Sequence, residues 1–227
     1  MAVAQCNDEV DELTRMGLQR TAVAMVPTGV DTGQFHPDGE AAPRDQRARI
    51  LSVGGLAPGH GQDDLIRAMR LVGDAELVIA GGPPPERLDG HAEARRLREL
   101  AERAGVAEQV KLVGAVPHDQ MATWYRSADV VACTPHYASA GRVSLEAMAC
   151  GVPVVGYAMG GIADAVVDEV TGSWCRRVTS ARSGSRCAGC CPTTPGGSRT
   201  GTPPWTGSGA ATPGNGPPPR WSASTSG

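Results

Sequence analysis

Lysine is almost missing from this chain of 227 residues: Lys111 stands alone against 20 arginines. Arginine codons are GC-rich and lysine codons are not, so the skew points to a GC-rich genome. An excess of positive charge is missing too. The formal charge is −3, which leaves no basic footprint for nucleic acid. Residues 1–10 lack the seven-residue apolar run of a secretory leader. No stretch approaches the ~20 apolar residues of a membrane span. A cytoplasmic protein with no integral membrane segment is the expectation. Two phosphate-binding signatures are also absent. Lys111 does not sit in the G-K-[ST] of a P-loop, and Gly54-Gly55-Leu56-Ala57-Pro58-Gly59-His60-Gly61 does not give G-x-G-x-x-G. These absences argue against a P-loop NTPase and a dinucleotide oxidoreductase. His36, His91, His118 and His136 show no metal-ligand spacing, so no metal site is assigned.

The last part of the chain lacks still more. Residues 176–227 carry six arginines and no acid, and contain no Leu, Ile, Met, Phe or Tyr. No core can be built from such a composition, so residues 175–227 are expected to be a disordered tail. Its alphabet is the one GC-rich DNA yields when read out of frame, and a frameshift near Trp174–Val178 is the expected cause. A natural disordered tail is the alternative. Translating the neighbouring frames of the gene separates the two. The C-x-x-C at Cys187–Cys190 has no second pair, and composition explains it better than zinc does. Cys6, Cys133 and Cys150 fall in expected strands or a helix, where buried reduced thiols are the expectation.

What is present is a regular alternation. Val3–Cys6 reads as a short strand and Asp8–Met16 as a helix, with Asn7 as its N-cap. Ala22–Val26 is another apolar run. Residues 27–49, rich in Pro, Gly, Asp and Arg, read as a linker. Strands are then expected at Ile50–Val53, Glu76–Ala80, Val110–Val113, Asp129–Cys133 and Pro153–Val155. Helices are expected at Gln62–Val72, His91–Ala104, Asp119–Arg126 and Val143–Cys150, the third burying Met121, Trp124 and Tyr125. Tyr137 and Trp124 read as packing residues. Such alternation implies an α/β fold with a doubly wound parallel sheet, Rossmann-like. Ligands of such sheets bind outside the carboxyl ends of the strands. The loops at 54–61, 81–84, 114–118 and 134–142 lie there. Glycines in the first loop let backbone N–H groups approach a phosphate, with the helix from Gln62 pointing its positive end at it.

The run Tyr137-Ala138-Ser139-Ala140-Gly141-Arg142-Val143-Ser144-Leu145-Glu146-Ala147-Met148-Ala149-Cys150-Gly151-Val152-Pro153 resembles the hallmark of group 1 (family 4) GT-B glycosyltransferases. The resemblance extends to Val26-Pro27-Thr28-Gly29-Val30-Asp31, Val53-Gly54-Gly55-Leu56, Gly114-Ala115-Val116-Pro117, Gly160-Gly161-Ile162 and Val170-Thr171-Gly172, in order from about residue 3 to 174. It implies that residues 1–26 are the end of an N-terminal acceptor domain and 27–49 the interdomain linker. Residues 50–174 would then be the nucleotide-sugar-binding C-terminal half of a GT-B fold. An intact two-domain enzyme of this kind needs a longer chain, including a final helix that crosses back to the first domain. No cofactor is implied: the nucleoside-diphosphate sugar is the donor substrate, and a carbohydrate or lipid-linked hydroxyl is the acceptor.

Glu146 matches the second glutamate of the family's E-x7-E motif, which holds the ribose hydroxyls. A carboxylate suits that role because it accepts two hydroxyl hydrogen bonds. Gly141, Arg142, Val143, Ser144 and Leu145 match the loop and helix start whose N–H groups meet the donor. Gly114 and Val116 match the turn that frames the base. Gly54, Gly55 and His60 match the first loop. The departures matter equally. The family has arginine at Gly55, lysine at His60 and its first motif glutamate at Ala138. Two diphosphate cations and one sugar-facing carboxylate are therefore lost, with Arg142, and His60 if a bound diphosphate keeps it protonated, as partial substitutes. The resemblance implies a retaining transferase, impaired in this chain. The alternatives are a non-catalytic remnant that binds nucleotide weakly and, further off, a sugar-nucleotide epimerase.

Overall fold

The computed structural model describes residues 1–138 and 140–175. The expectations for the tail, including its disorder, its frameshift and its C-x-x-C, lie outside the described residues.

The chain opens with β1 (Ala2–Ala4), α1 (Asn7–Arg15) and β2 (Val23–Met25), and β1 and β2 pair in parallel. Next come β3 (Ala48–Val53), α2 (Gln62–Ala68), β4 (Ala75–Ala80) and α3 (Ala92–Ala104). They are followed by β5 (Val110–Gly114), α4 (Met121–Arg126), β6 (Val130–Cys133) and α5 (Arg142–Ala149). The run closes with β7 (Val154–Gly156), α6 (Gly160–Ala165) and β8 (Gly172–Trp174). β3 to β8 form one six-stranded sheet in the order β5-β4-β3-β6-β7-β8, parallel throughout. This is the doubly wound, Rossmann-like α/β sheet that the alternation predicts.

Strand period sorts the side chains onto two faces. Along β4, Leu77 and Ile79 join Ile66, Met69, Leu97 and Leu100 under α2 and α3. Val78 and Ala80 point the other way, to Leu51, Val131, Tyr125 and Ala147 under α4 and α5. A strand covered on both faces has no solvent side, and all six residues of β4 are buried. A cluster of charged groups interrupts this core at one end of the sheet. Arg49, beside Glu76 in the β3–β4 register, gives its Nε to Glu76 Oε1 at 2.6 Å, and both side chains are buried. The lone lysine, Lys111, bonds the other oxygen at 2.6 Å. Arg49 also bonds Ser127 Oγ and the Pro43 carbonyl, so its charge is shared and its N–H groups are engaged.

Several local expectations change. Cys6, not Asn7, holds the N-cap position of α1, and Asn7 is the first helical residue. The helix expected over 62–72 is α-helical only to Ala68 and tightens into a 3₁₀ turn at Met69–Leu71. The one expected over 119–126 starts with a 3₁₀ turn at His118–Gln120. The stretch read as linker gives Ala48 and Arg49 to β3, and buries Phe35 against Tyr125 with ring centroids 5.9 Å apart. Tyr137 is 60% exposed and so is not a packing residue. Trp124 is half-buried, beneath the Arg49 guanidinium at 5.7 Å from the ring centroid. Cys6, Cys133 and Cys150 are buried free thiols, as expected.

Candidate functional site

From β3 the chain runs outward to β4 and β5; from β6 it runs the other way to β7 and β8. The loops after β3 and β6 therefore leave the sheet in opposite directions, and a crevice opens between them. Backbone hydrogen bonds stitch its rim. Gly54 N donates to Ala80 O, Gly81 N to Gly114 O, and His136 N to Gly59 O. Thr134 Oγ1 donates to Gly61 O. Only a glycine fits at 61, where φ is +81° and an added Cβ would lie 1.8 Å from the Thr134 carbonyl oxygen.

The crevice holds an open cleft of about 250 Å³. Five residues singled out from the sequence line it: Gly54, Val116, Arg142, Val143 and Glu146. Val53, Ala80, Gly81, His118 and Met121 complete its walls. Glu146 projects from α5, which Gly141 caps with φ +59°. Its carboxylate is buried, and Oε2 accepts from the Tyr125 hydroxyl at 2.8 Å. Among the described residues Oε1 accepts no hydrogen bond, so that oxygen is free for a ligand. Burial and then the neighbouring carboxylate push the Tyr125 hydroxyl far above its ordinary pKa. Tyr125 therefore stays a neutral donor and holds Glu146 in place.

Six of the singled-out residues lie beside the cleft rather than in its walls. Gly55 is exposed at the rim, where its carbonyl accepts from Gln62 Nε2. His60 is exposed and folds back over the loop, placing Nδ1 3.3 Å from where a Cβ on Gly54 would stand. Gly114 accepts the stitching bond from Gly81. Gly141 is the helix cap, tucked against the Gly161 carbonyl. Ser144 is buried with its hydroxyl 3.6 Å from Cys133 Sγ, so only its backbone is available to a ligand. Burial pushes the Cys133 thiol up to about 11, which keeps it inert. Leu145 is half-buried, and its N–H is already engaged by Gly141 O.

Sequence reasoning missed His118 as a cleft residue and Tyr125 as the partner of Glu146. His118 immediately follows the Ala115–Pro117 turn, so its proximity to that turn was the available signal. Tyr125 gave none, because its partner is 21 residues away on another helix. Chemically, the cleft offers a buried, braced carboxylate, an apolar wall of Val53, Val116, Met121 and Val143, and the exposed cationic residue Arg142 in its lining. A carboxylate suits vicinal hydroxyls, an apolar wall suits a planar base, and a cation suits a phosphate.

Residues 38–183 match the family model of glycosyl transferases group 1. The chain belongs to that family. It is 41% identical over 157 residues to D-inositol 3-phosphate glycosyltransferase of Mycolicibacterium gilvum, covering 66% of this chain and 35% of that protein. It is 40% identical over 186 residues to the protein of the same name from Kribbella flavida, covering 75% and 43%. The chain thus spans less than half the length of these relatives. Among solved structures it resembles sucrose-phosphate synthase from Thermosynechococcus elongatus, with a TM-score of 0.70, 27% identity, and coverage of 83% of this chain and 47% of that one. It also shares its fold with Anabaena HepE in complex with UDP and glucose, with a TM-score of 0.65, 22% identity, and coverage of 76% and 48%. No helix among the described residues is long and apolar enough to cross a membrane.

Proposed function

We propose that this chain is the donor-binding half of a retaining glycosyltransferase, taking a sugar from a nucleoside diphosphate to an acceptor hydroxyl, with a weakened hold on the diphosphate. The observation that carries the reading is the placement of Glu146, buried, braced by Tyr125 and facing a cleft at the switch point of the sheet. In this reading Glu146 takes the ribose hydroxyls and the turn at Gly114–Val116 frames the base. Gly54 and the start of α5 at Gly141–Leu145 approach the phosphates and sugar. The nucleotide sugar is consumed as substrate, with no cofactor or metal required, and the protein works in the cytoplasm. Catalysis rests on placing the donor and stabilising the departing diphosphate. Residues 1–26 belong to the acceptor side in this reading, 27–49 join the two sides, and 50–174 form the donor domain.

The weakening follows from three positions. Gly55 and His60 stand where two cations would neutralise the diphosphate, and Ala138 where a carboxylate would face the sugar. A charge-assisted hydrogen bond contributes roughly 1.5–3 kcal/mol, so two lost cations cost about 3–6 kcal/mol, or roughly 10²–10⁴ in affinity. These same positions favour a second reading, a remnant that no longer transfers sugar. Calorimetric titration of the full chain with UDP and GDP decides. We expect one nucleotide to bind with Kd below about 1 mM, weakened roughly 10- to 100-fold in Glu146→Gln. No heat from either nucleotide at several times that concentration sinks the donor-site reading and leaves the remnant.

A further inference from the structure

Two helices near the donor cleft lack caps of their own, and each is capped by the other. An α-helix leaves its first backbone N–H groups without partners, and a carboxylate placed there satisfies them. Neither Cys6, before α1, nor Met159, before α6, supplies a side-chain cap. Instead Asp164 of α6 accepts the Asn7 backbone N–H at 2.8 Å, and its other oxygen takes the Asn7 side-chain amide at 3.0 Å. Asp8 of α1 returns the contact by accepting the Gly160 backbone N–H at 2.7 Å. The two helices exchange caps across more than 150 residues of sequence.

The clasp is joined to the donor loop. The residue after Gly160, Gly161, donates its N–H to the Ala138 carbonyl at 2.8 Å. A Cβ at Gly160 would stand 2.0 Å from that carbonyl oxygen, and one at Gly141 would stand 2.4 Å from the Gly161 carbonyl oxygen. Backbone therefore packs on backbone from Ala138 through Gly160 and Gly161 to Gly141, the residue that caps α5, and the Asp8 carboxylate joins this run at the Gly160 N–H. A second strut, Tyr137 Oη to Glu9 Oε1 at 3.3 Å, ties the other end of the same loop to α1.

We propose that Asp8 and Asp164 are positioning residues for the donor. They lock α6 to the segment at residues 1–26, and α6, through Ala138 and Gly141, fixes where α5 meets the donor. The proposal rests on the donor-site reading above. It also carries a consequence independent of any nucleotide: opening the clasp loosens the loop. The segment at residues 1–26 thereby sets donor affinity through α6 without touching the donor.

The test is amide hydrogen exchange on the full chain, with Asp8→Ala and Asp8→Asn compared to the unchanged protein. Asparagine keeps an acceptor oxygen, so it should restore the cap. Exchange over residues 136–141 and 160–165 should quicken about fivefold or more in Asp8→Ala and return in Asp8→Asn, while β3 and β4 stay unmoved. Unchanged exchange in those segments overturns the clasp. So does uniform quickening across the sheet, which marks general destabilisation instead. UDP titration of the same variants should show binding about fivefold weaker in Asp8→Ala and restored in Asp8→Asn. Equal affinity in all three overturns the positioning role. Absence of binding by both UDP and GDP in the unchanged protein overturns the donor-site reading alone, and the exchange result still decides the clasp.

Discussion

At the scale of single residues, the proposed site turns on a carboxylate and on two positions, Gly55 and His60, where the proposed reading would place cations. Glu146 was legible in the sequence because it matches the second glutamate of the family motif, and because an acid in the otherwise apolar run Leu145–Ala149 demands a reason. Its brace was not legible, since Tyr125 reaches it only through the packing of α4 on α5. Removing the Tyr125 hydroxyl should leave the buried carboxylate short of a partner. Tyr125→Phe is expected to cost about 1–3 kcal/mol of stability by urea unfolding, and to weaken nucleotide binding by loosening Glu146. The proposed reading of Gly55 and His60 can be probed by placing a cation at one of them. Gly55 does not have a left-handed backbone, and an added Cβ meets only His60 Cε1 at 3.7 Å, an ordinary contact. Gly55→Arg should therefore fold normally and tighten UDP binding by roughly 10- to 100-fold, the worth of one charge-assisted hydrogen bond. Calorimetry checks it, and an unchanged Kd places the diphosphate elsewhere.

At the scale of elements, the sheet was legible from periodicity, whereas its closing pieces at Gly160–Ile162 and Val170–Gly172 were legible only through the family resemblance. The five strands expected from periodicity all form, with ends shifted by one or two residues. β8 has only three residues, and α6 opens on Gly160-Gly161, so neither shows an apolar period. α6 is held by Asp8 and by its packing on the donor loop rather than by its own helical preference. The sharp turn at Gly61 is a further element the sequence marks only as a glycine. Gly61→Ala combines a left-handed backbone with a collision on the Thr134 carbonyl. It should destabilise by at least about 2 kcal/mol and distort the crevice rim. Gly73→Ala is the control: an added Cβ there meets nothing within 4 Å, and stability should shift by less than about 1 kcal/mol. Denaturant midpoints of the two variants check both expectations.

At the scale of the whole molecule, stability and the binding edge lie apart. The glycine-rich loops gather at the carboxyl ends of the strands, whereas Arg49, Glu76 and Lys111 knot together near the starts of β3, β4 and β5. Burial alone would raise the Glu76 pKa. The bonds from Lys111 and Arg49 outweigh it and hold the carboxyl below its ordinary range. A carboxyl with a depressed folded pKa stabilises above its unfolded value, near 4.3. That contribution disappears as pH falls through the lower folded value. Stability should thus drop with acid below about pH 4.3, and less steeply in Glu76→Gln. The variant itself should lose about 3–5 kcal/mol at neutral pH, because it strands a buried arginine. Thermal unfolding across pH reads both.

If the crevice between β3 and β6 is a nucleotide site built around Glu146, backbone amide chemical shifts of the full chain should move as UDP is added. Saturable shifts are expected, confined to residues 54–56, 81–82, 114–118 and 141–146 and abolished in Glu146→Ala. Shifts centred on the outer face of α3 and β5, or the same shifts in Glu146→Ala, would contradict that reading.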